Sequence, residues 1–207
     1  EKVVDQKSRL DALPADGQLA GLLPPEWQGH GVRAIELSTF IQGVLPFLQP
    51  GERGETAPAR LPVRHVLGDD SRWGLDDVSE PKSLAWYLAS DERATAGSKD
   101  VAEAYLVGAL GLAWMQEGRS RPGFLRAMGQ DSLAARVTML GYPPANELAL
   151  YSVTAHGQQQ IWCVHGRRRM RPLVAPWLSV PLLAPYGVPA PVAWPPRFPP
   201  VDPAAEL

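Results

Sequence analysis

The chain has 207 residues, a formal net charge of −2 and a single cysteine, Cys163. That length allows one domain, or two small ones, with a buried core. The near-neutral balance excludes a global electrostatic pull toward nucleic acid or membrane, and one cysteine excludes an internal disulfide and any zinc site built from several thiolates.

In chain order, residues 1–31 read as an N-terminal extension. It combines a short helix over Lys7 to Leu13 with Gly/Pro punctuation at ADGQ and LLPPEW. No apolar run reaches membrane-spanning length, and the opening EKVVDQKSRLDALPADG lacks the pattern of a signal peptide. A soluble cytoplasmic protein without membrane contact is the expectation. VRAIELSTFI, 32–41, alternates as a strand would, with Ile35 and Leu37 in the core. PGERGETAPAR, 50–60, reads as a polar, turn-rich loop. LPVRHVLGDDSRWGLDD moves from a short strand into a second loop. SEPKSLAWYLASDERA predicts a helix with Ser79 as cap, Pro81 in its first turn and an apolar stripe of Leu84, Trp86, Tyr87 and Leu88.

KDVAEAYLVGALGLAWMQEG has an alanine-rich half that suits a helix and a second half that suits a strand ending at Gln116. RSRPGFLRAMG predicts a two-turn helix with Ser120 as cap, Pro122 in its first turn and Gly129 just past its end. SLAARVTML follows as a strand. LALYSVTAHGQQQIWCVHGRRRMR predicts a β-hairpin turning at HGQQQ. The chain carries 22 prolines, 11 of them after residue 171. Residues 172–207 are therefore read as an extended arm, since proline breaks both helices and central strands. The arm keeps Trp177, Tyr186, Trp194 and Phe198, which a plain linker would lack. The fold class is mixed α/β.

Chemistry concentrates at EGRSRPGFLRAMG, 117–129. A helix start leaves N–H groups unpaired, a glycine before it admits a ligand to the backbone, and Arg119 and Arg121 supply planar donors suited to phosphate. Gly118, Arg119, Ser120 and Arg121 are candidate phosphate contacts, against the alternative that the arginines are solvated or salt-bridged and Ser120 caps the helix, and Glu117 is the candidate catalytic acid tied to them. The other reading of Glu117 is an ion pair with Arg119 or Arg121. The four histidines, His30, His65, His156 and His165, are too scattered for a metal motif. Asp69, Asp70, Asp76, Asp77 and Glu80 lack the spacing of a calcium loop, so no metal site is expected. GRRRMR supplies Arg167, Arg168, Arg169 and Arg171 as a candidate nucleic-acid contact, against the alternative of a solvated basic strand. Trp86, Tyr87, Trp114 and Phe124 are most economically core.

The stretch WMQEGRSRPGFLRAMGQDSLAARVTML resembles the signature of the ParB/sulfiredoxin-like superfamily: a strand, a Gly-x-x-Arg turn, a helix, a glycine stop and a second strand. The resemblance covers residues 32–140 in order and is specific over 112–140. It implies a ParB/sulfiredoxin-like domain over 32–171, hairpin included, followed by the arm at 172–207. It also implies binding of a nucleotide at Gly118–Arg121, with a nucleoside triphosphate and Mg²⁺ as cofactor and NTPase, kinase or nuclease chemistry within its range. Sulfiredoxins carry their reactive cysteine where Arg119 stands, which argues against that activity. Many members have histidine in place of Ser120, and serine cannot act as an acid/base at neutral pH. A hairpin and arm replace the DNA-binding helices of partition proteins. Two rival readings stand beside nucleotide binding. One is a non-catalytic interaction protein that meets a protein partner or a second copy through the arm, and the other is a nucleic-acid-binding accessory factor.

Overall fold

The computed structural model describes residues 2–11, 35–48, 53–68, 78–98, 100–155, 158–166 and 169–196. His30, Asp69, Asp70, Asp76, Asp77, His156, Arg167, Arg168 and Phe198 lie outside the described residues. The mixed α/β expectation holds. The chain divides into two compact units, residues 1–40 with 49–141 and residues 41–48 with 142–207. The C-terminal hairpin thus groups with the proline-rich segment and not with the Gly-Arg turn.

The first unit is built on a five-stranded sheet. Its strands are β1 (Arg53–Pro62), β2 (Val66–Leu67), β3 (Glu103–Val107), β4 (Leu112–Glu117) and β5 (Ser132–Leu140), ordered β1-β5-β3-β4-β2. β4 is antiparallel to β3 and parallel to β2, and so reads as a run of buried residues, Leu112 to Met115. Leu61, Val66, Ala104, Met115, Leu133 and Val137 from the strands meet Ala85, Phe124 and Leu125 from helices in one core cluster. Those helices are α3 (Pro81–Ala89) and α4 (Arg121–Ala127). An N-terminal helix, α1 (Lys2–Asp11), also belongs to this unit and begins before the expected Lys7.

Three expectations fail here for identifiable reasons. The strand expected at 32–41 has residues 32–34 outside the described residues, and from Leu37 on it is instead a helix, α2 (Leu37–Val44). Leu37, Phe40, Ile41 and Val44, each no more than 1% exposed, recur at i, i+3, i+4 and i+7. The Glu36 carboxylate caps the helix, accepting from the Thr39 N–H at 2.8 Å. The expected loop at 50–60 contains β1, paired antiparallel with β5 from Thr56↔Thr138 to Pro62↔Ser132. Residues 54–60 are all exposed, so no apolar alternation marks the strand, and its edge position tolerates Pro58. The alanine-rich half contains β3 at 103–107, because sheet burial of Ala104, at 1% exposure, outweighs alanine's small helical preference.

The second unit contains a four-stranded sheet ordered β8-β7-β6-β9. The hairpin is β6 (Leu148–Ala155) with β7 (Gln158–His165), in register from Leu148↔His165 to Ala155↔Gln158. β8 (Arg169–Pro172) and β9 (Val192–Ala193) extend it on either side. The extended-arm reading fails between Pro176 and Tyr186, which form the helix α5 with Pro181 and Pro185 inside it. Each interior proline costs about 3 kcal/mol. Both face outward, while Leu178 and Leu183 are buried, Leu183 in one cluster with Leu148, Leu150, Cys163 and Leu173. Gly187, at φ +105°, ends the helix in the left-handed conformation.

Candidate functional site

The turn between β4 and α4 forms a compact unit whose spacing has a physical cause. Gly118 has φ +74°, and its carbonyl accepts the Arg121 N–H at 2.9 Å. The Arg121 side chain folds back over Gly118 so closely that a Cβ there would lie 2.7 Å from Arg121 Nε. Glycine is required twice, for the backbone conformation and for the space. The end of β2 packs beneath the same turn: a Cβ on Gly68 would lie 2.2 Å from the Arg119 carbonyl oxygen. Because β2 and β4 run parallel, both glycines follow strand C-termini, where open α/β sheets hold their ligands.

Arg121 is only 8% exposed. Its Nη2 donates to the Asp100 carbonyl at 2.6 Å, and its Nη1 has no hydrogen-bond partner among the described residues. Burial pushes the Arg121 pKa down, the Asp100 carboxylate opposes that shift and nearby Arg93 adds to it. A guanidinium remains charged through any physiological pH.

A cavity of about 300 Å³ opens beside this group. Leu84, Tyr87, Leu88, Asp100, Gly118, Ser120, Arg121 and Phe124 line it. The Tyr87 hydroxyl donates to Asp100 Oδ2 at 3.3 Å and accepts from Arg93 Nη1 at 2.5 Å. The Arg93 guanidinium lies 4.3 Å from the centre of the Tyr87 ring. Asp100 itself sits at φ +55°, a conformation that aspartate tolerates better than most side chains.

Of the four expected phosphate contacts, Gly118, Ser120 and Arg121 line this cavity, and Arg119 does not. Arg119 Nε donates to the Gln116 carbonyl at 3.2 Å and its Nη1 pairs with Glu36 at 3.3 Å. The ion pair expected for Glu117 is thereby replaced: Glu36 holds Arg119, and the Asp100 carbonyl holds Arg121. Glu117 is exposed at the end of β4 and does not line the cavity. Ser120 occupies the cap position of α4, but its backbone is already helical and its side chain makes no cap hydrogen bond. Gly129, at φ +71°, stands just past the Met128 cap as expected.

The aromatic expectation divides. Trp114 and Phe124 are core at 4% and 5% exposure, whereas Trp86 is 76% exposed and Tyr87 lines the cavity. The helical stripe misassigns Trp86 because Ala85, not Trp86, faces the sheet. Asp100 escapes sequence reasoning altogether, since no local motif announces a single acid before a strand. Leu84 and Leu88 are legible as a helical face, but nothing local places that face beside the Gly118 turn.

Elsewhere, Arg169 and Arg171 are exposed on β8, with Arg171 over the Phe47 ring at 5.9 Å. His165 pairs with Glu147 at 3.0 Å, and among the described residues no cluster of three or more His, Cys, Asp or Glu is placed to hold a metal ion. Within the proline-rich segment, Tyr186 donates to the Pro143 carbonyl at 2.9 Å, and the Trp194 ring lies 5.5 Å from that of Tyr151. Trp177 is 53% exposed. No helix among the described residues is long and apolar enough to cross a membrane.

No protein-family model, curated protein or solved structure matches this chain.

Proposed function

We propose that the cavity beside Gly118–Arg121 binds a phosphate-bearing anion, with a nucleotide as the class implied by the ParB/sulfiredoxin-like resemblance. The observation that carries this reading is the Arg121 guanidinium, 8% exposed, with Nη1 lacking a partner among the described residues. A buried, charged donor left unmade is costly, and an anionic oxygen supplies the missing acceptor. Ser120 and Gly118 line the same cavity beside Arg121. Arg119 would join them only by releasing Glu36. The reading is one of binding first; chemistry on a bound triphosphate with Mg²⁺, in which Glu117 would act, is a further step. A cytoplasmic setting suits the single, unpaired cysteine.

The test is thermal stability of the full chain against ATP, CTP, GTP, UTP and inorganic phosphate, each with and without Mg²⁺. Ligand that binds only the native state raises its stability by mass action. Arg121→Lys keeps the charge but removes the guanidinium fork, and should weaken the response about tenfold. Absence of any response at millimolar anion would refute the reading.

A second reading, a non-catalytic protein contact, is favoured by Trp177, since a half-exposed tryptophan suits an interface. It expects Trp177→Ala to change the sedimentation behaviour or partner capture of the full chain. Nucleic-acid contact through Arg169 and Arg171 expects affinity to fall steeply with salt.

A further inference from the structure

We propose that this cavity selects a small anion with one acidic group on an apolar or aromatic body, an aryl carboxylate or aryl phosphate monoester, over a triphosphate. The inference rests on the anion-binding reading of the same site and narrows its ligand class.

Four observations converge on it. The lining is mixed in polarity: Gly118, Ser120, Arg121, Tyr87 and Asp100 supply polar groups, and Leu84, Leu88 and Phe124 supply apolar surface. Leu84 and Leu88 lie one turn apart on α3, so their side chains share a face and present a continuous apolar strip. A lone inorganic phosphate would leave that strip in water, whereas a ring seated on it removes apolar area from solvent. The cavity, at about 300 Å³, stands at the small end of ligand clefts.

The donor inventory is equally restrictive. Arg121 is the one cation among the described residues that line the cavity; its Nη2 spends one N–H on the Asp100 carbonyl at 2.6 Å, and its Nη1 has no partner among the described residues. One acidic head satisfies it. A chain of phosphates needs several positive groups, as phosphoryl-transfer sites provide.

Charge then disfavours extension along the wall. Asp100 lines the same cavity, and its carboxylate accepts from the Tyr87 hydroxyl, another lining group, at 3.3 Å. A second or third phosphate reaching past Arg121 toward Tyr87 would meet that carboxylate as a like charge. A neutral ring in the same place meets the Leu84, Leu88 and Phe124 side chains instead.

The experiment is calorimetric titration of the full chain with inorganic phosphate, phenyl phosphate, benzoate and ATP, the last with and without Mg²⁺. Phenyl phosphate or benzoate is expected to bind at least about tenfold more tightly than inorganic phosphate, and ATP no more tightly than the better aryl probe. Which aryl probe binds better identifies the acidic head. Leu88→Ala, or Leu84→Ala should the first variant fail to fold by circular dichroism, is expected to erase the aryl advantage while leaving inorganic phosphate binding unchanged. Equal affinity for phosphate and phenyl phosphate with tighter ATP would overturn this inference and leave the anion site standing. No binding of any probe at millimolar concentration would overturn both.

Discussion

Gly118→Ala tests the turn directly. The substituted residue would retain φ +74°, a left-handed conformation that costs an L-residue roughly 1–2 kcal/mol. Its Cβ would lie 2.7 Å from Arg121 Nε and 2.9 Å from Arg121 Cδ, so the side chain must move. Arg121 is buried and pinned at Nη2 by the Asp100 carbonyl, and losing a charge-assisted bond of that kind costs about 1.5–3 kcal/mol. The expected loss is therefore about 2.5–5 kcal/mol, measured by urea unfolding followed by circular dichroism. The cause is separable by a double-mutant cycle. In an Arg121→Ala background only the backbone term of about 1–2 kcal/mol should remain, giving a coupling of about 1.5–3 kcal/mol. A single-variant loss under about 0.5 kcal/mol, or strictly additive effects, would refute the account of why this spacing is Gly-x-x-Arg.

The remaining predictions concern the framework and the groups around the turn. Lys7 and Asp11 form a buried pair with Nζ 2.6 Å from Oδ2, and Asp11 also accepts the Ile35 N–H at 3.1 Å, so Asp11→Ala should cost about 3–5 kcal/mol in the same unfolding assay. Cys163 is fully buried and burial pushes its thiol up to about 12, so it should react with a thiol reagent at neutral pH only as fast as the chain opens, and stoichiometrically in denaturant. For Glu36, burial raises the carboxyl pKa, but hydrogen bonds from Ser38 and Thr39 outweigh it and the net shift is down from 4.5. Its stabilising effect is thus present above pH 4.5 and lost as pH falls through the lower folded value. Glu36→Gln should flatten that acid limb by less than about 1 kcal/mol, given the exposure of the Glu36–Arg119 pair.

Much of the site was legible because its chemistry is local. The Gly-Arg-Ser-Arg turn, the helix stop at Gly129 and the strand 132–140 all depend on interactions within a few residues. The cavity opposite the turn was not legible. Tyr87 and Asp100 reach Arg121 from 34 and 21 positions away, and their convergence depends on how α3 and the approach to β3 fold onto the sheet. Arg119 illustrates the converse. By sequence it is equivalent to Arg121, yet its partner Glu36 lies 83 positions away and holds it outside the cavity lining.

What the sequence determined by itself is the set of short-range devices: the mixed α/β class, the hairpin of β6 and β7, the two-turn helix α4 and the glycine at its entrance. Each follows from periodicity or from backbone freedom that only nearby residues control. What the tertiary structure decided is where helical and extended conformations compete. Residues 37–44 became a helix because four apolar side chains are buried on one face. Residues 53–62 became a strand only by pairing with β5, seventy or more residues away. Residues 176–186 became a helix despite interior prolines because Leu178 and Leu183 are buried. In all three, burial or pairing with distant residues outweighs local preferences of a few kcal/mol, and no window of sequence contains those partners.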